Sequence, residues 1–107
     1  MFFPHAASLA EFNSEKMAKS NLASGEFLFA GLNSFEPGQE HALHAHEGQD
    51  KLYVILQGDA VVQVGEETRR LSAGGVAFAA SGIAHAIRNE GSGRLVVMAI
   101  LGPPPRK

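Results

Sequence analysis

Apolar residues fall in short runs separated by glycine. Phe27, Phe29 and Leu32 open one run, Lys51 to Gln57 form a second and Ala60 to Val64 a third, with Val76 to Ala80 and Arg94 to Leu101 after them. Each spans roughly five to eight residues and is rich in Val, Ile, Leu, Phe or Tyr, which is the length and composition of a strand. Gly25, Gly38, Gly58, Gly65, Gly74, Gly75, Gly82, Gly91 and Gly93 stand where turns are needed. Strands divided by turns at such intervals predict an all-β sandwich or barrel.

The segment from Ser8 to Ala18 carries Leu9, Phe12 and Met17 among polar residues, and an irregular edge segment is expected there rather than a helix. After Gly102 come three prolines, which cannot donate ladder hydrogen bonds, so an extended tail is expected to leave the barrel. The expected organisation is an N-terminal edge segment over 1–25, one barrel over 26–101 and a proline-rich tail over 102–107. Phe27, Phe29, Phe35, Tyr53, Phe78 and Met98 are the large candidates for the core, with Tyr53 and Phe78 the two most suited to line a pocket.

Composition narrows the classes. A chain of 107 residues fits one domain, and 45% hydrophobic against 19% charged residues excludes a disordered polymer. Nine basic residues against eleven acidic ones give a net charge of −2, with neither sign gathered into a run, so neither a nucleic-acid nor a membrane partner is expected. The absence of cysteine removes disulfides, thiolate metal sites and cysteine nucleophiles together. With no basic leader and no apolar span near eighteen residues, a soluble, cytoplasmic protein is the expectation.

The candidate chemistry lies in the histidines, at 5, 41, 44, 46 and 85. His44 and His46 are two apart, so on a strand both imidazoles face the same way and can share one ligand. They stand in a frame: Gly38, five residues, His44-Ala45-His46, and then Gly58 closing the run Leu52 to Gln57. A second frame runs from Gly74 to Gly82, then His85 after two residues and Asn89 after three more. Together they resemble the two motifs of the cupin superfamily, over about residues 26 to 101.

That resemblance implies a double-stranded β-helix, or jelly roll, of roughly eight to ten strands that pairs as a homodimer. It also implies a metal site in which His85, on a later strand, joins His44 and His46 inside the barrel. Three imidazoles suit a divalent transition metal, Zn, Fe, Ni, Mn or Cu, better than Ca or Mg. The chain departs from the family at Lys51, where the motif has glutamate, and at Ala80, where it has proline. Three arrangements follow: ligation by His44, His46 and His85 alone, a strand bulge that brings Asp50 in as a ligand, or a barrel without metal.

The remaining polar residues have their own expectations. Parity puts His41 opposite His44, at the barrel rim and within reach of a substrate, while His5 is a solvated terminal residue. Asn89 braces a turn or the backbone. Lys51 is expected at the surface beside Asp50 or Glu47; pointing inward, it would bind an anion. The function implied is a metal-binding protein acting on a small anionic metabolite, as a dioxygenase- or isomerase-type enzyme with His41 or Tyr53 as proton donor. The alternative is a non-catalytic small-molecule binder, with or without metal.

Overall fold

The computed structural model describes residues 1–105. A short 3₁₀ turn (Ala6–Leu9) is followed by nine strands: β1 (Ala18–Ser24), β2 (Phe29–Phe35), β3 (Glu40–His44), β4 (Asp50–Gln57), β5 (Asp59–Val64), β6 (Glu67–Ser72), β7 (Val76–Ala79), β8 (His85–Arg88) and β9 (Leu95–Gly102). They form two antiparallel sheets, one in the order β1-β2-β9-β4-β7 and the other β3-β8-β5-β6. The expected jelly roll is therefore observed, with helix confined to that one turn among the described residues. Among the described residues, no helix is long and apolar enough to cross a membrane.

Alternation explains how the sheets bury their inner faces. Along β4, Lys51, Tyr53 and Ile55 point inward while Leu52, Val54 and Leu56 point outward, and β5 turns Ala60 and Val62 inward in the same way. Tyr53, Ile55, Ala60 and Val62 meet Phe35, Ile87, Leu95, Val97 and Ala99 in one core, closed by Met17, Val64, Leu71 and Ala77. Burying the larger of these side chains contributes roughly 1.5–3 kcal/mol each. The strand-like runs of the sequence became β2, β4, β5, β7 and β9. The other four, β1, β3, β6 and β8, are short or largely polar: Glu67-Thr68-Arg69-Arg70 in β6 are all exposed.

Two expectations about the core need correction. Phe27 precedes β2 and is 76% exposed, and Phe78 lies on the outward parity of β7 and is 55% exposed. Phe35 and Tyr53 take their full share of the interior. The expected tail also stays close: Gln49 Nε2 donates to the Pro103 carbonyl at 2.9 Å, and Pro105 lines the cavity described below. Arg106 and Lys107 of that segment lie outside the described residues.

Candidate metal centre

The site forms where the end of β3 meets the start of β8. Their ladder pairs His41 with Ile87 and His44 with His85, so three steps along β3 match two along β8. This is a β-bulge. In a regular strand His41 and His44 would face opposite ways, but the extra residue brings both to one side, their rings 4.1 Å apart and inclined by 30°. His41 thus stacks on the cluster instead of facing away from it.

His46 follows β3 rather than lying on it. Its carbonyl accepts a hydrogen bond from Gly82 N at 3.0 Å, which ties this segment to the turn leading into β8. The His44 ring lies 4.9 Å from that of His46 and 4.3 Å from that of His85, and the latter two are 5.4 Å apart. One nitrogen from each of the three lies within 4.8 Å of the others, a spacing that a single ion can draw together.

Hydrogen bonding decides which nitrogens face that point. His44 Nδ1 lies 2.6 Å from the Ala42 carbonyl, and His85 Nδ1 lies 2.9 Å from the Ile83 carbonyl. A carbonyl only accepts, so each Nδ1 carries the proton and each Nε2 keeps its lone pair. Both Nε2 atoms are buried without a hydrogen-bond partner among the described residues. Backbone carbonyls that fix the imidazole tautomer while the other nitrogen stays open are the usual support of metal-bound histidine, so this donor set fits a transition metal.

Electrostatics keep the rings ready to ligate. Burial, followed by the charge of His44, holds His41 down at about 3, and burial lowers His85 to about 4 against the partial opposition of its Ile83 bond. Burial also lowers His44 and His46 from the ordinary imidazole value, with the Lys51 ammonium depressing both further. Neutral rings are the form that binds a cation.

Lys51 lies inside the barrel rather than at the surface, and the alternative that a bulge brings Asp50 in is not what β4 shows. β4 pairs in register with β7 over Lys51 to Val54 and with β9 over Asp50 to Ile55, and its only shift falls between Ile55 and Gln57. No bulge turns Asp50 inward. It is exposed, its Oδ1 accepts the Ser81 backbone N–H at 2.9 Å, and it does not join the histidine group. Lys51 is only 4% exposed, with its Nζ 4.8 Å from the centre of the Tyr53 ring. It pairs with neither Asp50 nor Glu47, and burial, reinforced by Lys19, lowers its ammonium to about 8.

A cavity of 320 Å³ adjoins His46 and Lys51. Lys19, Asn33 and Gln49 add polar groups, while Gly31 and Ala99 keep it open. A Cβ on Gly31 would stand 2.9 Å from the Ser20 carbonyl oxygen and 3.1 Å from the Phe29 ring. Among the described residues, no carboxylate lines this space. The buried Tyr53 hydroxyl has no hydrogen-bond partner among the described residues, and burial pushes its ionisation well up. The Tyr53 ring is 5.9 Å from that of His85.

Other expectations hold away from the site. Asn89 Nδ2 donates to the carbonyls of Phe35 and Gly93 at 3.1 and 2.8 Å, and its Oδ1 accepts from Gly91 N at 3.0 Å, so it braces the turn after β8. His5 is exposed and stands outside the cluster. The inward Lys51 was readable from its shared parity with Tyr53 and Ile55. The approach of His41 was not, because no residue between it and His44 marks a bulge.

Comparison with known proteins places this architecture. A family model for the cupin domain matches residues 31–101. The oxalate-binding protein of Thermotoga maritima is 33% identical over 85 residues, covering 79% of this chain and 69% of its own. The structure of the TT1209 protein from Thermus thermophilus superposes with a TM-score of 0.92 at 39% identity, over 98% of this chain and 100% of that one. A Thermotoga maritima protein described as a predicted oxalate decarboxylase superposes at 0.77 with 28% identity, over 82% of this chain and 81% of the other. With both motif frames folded into one jelly roll and the three motif histidines gathered inside it, the chain belongs to the cupin family.

Proposed function

We propose that the protein binds one divalent transition metal through His44, His46 and His85 and takes a small carboxylate into the adjoining cavity, where Lys51 receives its negative charge. The observation that carries this reading is Lys51, a buried cation without an acidic partner among the described residues, facing a cavity that no carboxylate of theirs lines. An isolated buried charge is costly, and a ligand of opposite sign offsets that cost. Relatives named for oxalate support the same ligand class.

A bound metal would add Lewis-acid charge and open coordination positions for the ligand's oxygens. The protein's own groups do the rest. Ala42 and Ile83 carbonyls orient the rings of His44 and His85, Lys51 and Lys19 set the sign of the cavity, and Gly31 and Ala99 leave room for the ligand. Asp50 has no part in the ligand set.

Turnover of dioxygenase or isomerase type is a second reading, favoured by the unpartnered Tyr53 hydroxyl and by His41 against His44. Either group can hold or hand over a proton beside the site. O₂ uptake and product analysis on metal-loaded protein separate turnover from binding alone. The primary test is elemental analysis of protein purified without an affinity tag, together with calorimetric titration by oxalate. Up to one metal per chain is expected, with sharp loss in the Ala variants of His44, His46 and His85. Full occupancy in His85→Ala overturns the ligand assignment.

The outer face of the five-stranded sheet supports the homodimer as well. Val76 and Phe78, on edge strand β7, are 53% and 55% exposed beside half-buried Leu52 and Val54 of β4. A second copy that covers this patch would bury the apolar edge.

A further inference from the structure

The charges of the proposed site do not balance without its ligand. His44, His46 and His85 are neutral donors, so a divalent ion on them keeps its full charge. The ammonium of Lys51 is buried beside the same cluster, and its field lowers all four imidazoles, His41 included. Lys19 adds a second positive group to the cavity wall, and among the described residues no acidic side chain opposes either lysine there. A metal and the buried Lys51 ammonium therefore repel, and with Lys51 only 4% exposed that repulsion is stronger than between two solvated charges.

We propose that metal and carboxylate bind this protein cooperatively, with Lys51 as the residue that couples them: the ion binds weakly alone, and the anion that lies between ion and ammonium strengthens it. The inference rests on the metal-binding reading above. It makes Lys51 a determinant of ligand class, selecting a carboxylate over a neutral molecule of the same shape. Coupling of this kind is reciprocal, so the metal raises carboxylate affinity by the factor by which the carboxylate raises metal affinity.

The experiment is a titration of Co²⁺ into tag-free wild-type protein, Lys51→Met and Lys51→Gln, with and without acetate, followed by visible absorption and calorimetry. Acetate is suitable because it scarcely chelates the free ion. In carboxylate-free buffer, Lys51→Met is expected to bind Co²⁺ about tenfold more tightly than wild type. Acetate should raise wild-type affinity roughly ten- to hundredfold and variant affinity far less. Lys51→Gln, of similar length and with a polar head, carries the same comparison if the methionine variant does not fold. Equal Co²⁺ affinities without acetate, or an equal acetate effect in wild type and variants, overturn the coupling and leave the metal reading standing. Absence of Co²⁺ binding in all three proteins overturns both.

Discussion

At the scale of single residues, Lys51 has consequences for stability that can be separated from ligand binding. In the protein without metal or anion, burial brings its amine down to about 8 from the 10.5 of an exposed lysine. The folded state thus binds its proton less tightly than the unfolded state. The sign follows: below about pH 8 the protonated amine costs stability in full, and the cost is relieved as pH rises through 8 towards 10.5. Lys51→Met should accordingly be more stable than wild type near pH 7 by about 3 kcal/mol, and the gap should close towards pH 10.5. Urea denaturation of both proteins across that range checks it; a pH-independent gap would refute the assignment of the cost to charge. The imidazoles make a second prediction. Burial lowers all three ligand imidazoles, His85 to about 4, so proton competition for the proposed metal should begin below the usual imidazole value of 6.5. Metal occupancy measured by equilibrium dialysis should hold above pH 6.5 and be lost as pH approaches 4.

At the scale of elements, the β4–β5 connection shows how narrowly a turn can constrain a motif glycine. Gly58 has φ +87°, and a Cβ there would run into the Arg94 carbonyl at the approach to β9. Both the left-handed backbone and the close approach require glycine. Gly58→Ala should destabilise the protein by roughly 3 kcal/mol or more, read from the urea midpoint at unchanged slope. The β4 ladder and the β3 bulge make a contrasting pair. Unbroken pairing lets parity place Lys51 inside and Asp50 outside, as counting along the strand from Tyr53 would indicate. The shift between His41 and His44 breaks the same rule, so counting assigns His41 to the wrong face. Strands β6 and β8 were hard to see for a related reason. β6 presents Glu67, Thr68, Arg69 and Arg70 to solvent and forms because β5 offers it a partner edge, and β8 is four residues long between β3 and β5.

At the scale of the whole molecule, the outer sheet face predicts association. The protein should sediment at about twice 11.3 kDa, and Phe78→Asp should shift it towards the monomer by placing a charge in the apolar patch. Analytical ultracentrifugation over a range of concentrations decides this, and an unchanged distribution in Phe78→Asp would place the interface elsewhere. The variant should keep its metal content, since Phe78 faces away from the histidine cluster.

What the sequence determined alone is what local rules carry. Apolar runs of strand length and glycines at turns were sufficient for an all-β sandwich or barrel, and the resemblance of the two frames around His44, His46 and His85 to the cupin motifs implied the jelly roll and the histidines that share its interior. Those signals depend on neighbours a few positions apart, and the tertiary structure preserves them. Tertiary structure decided the rest. Lys51 became an inward cation, Asp50 an outward cap on Ser81 and His41 a fourth ring on the cluster through the pairing of β4 with β7 and β9 and of β3 with β8. The direction of a side chain at a strand end, or across a bulge, is set by the partner strand's register, and that partner lies about 30 to 50 residues away in the chain. Exposure of Phe27 and Phe78 has the same origin: a hydrophobic residue is buried only where another layer covers its face, and the residue itself does not encode which face that is.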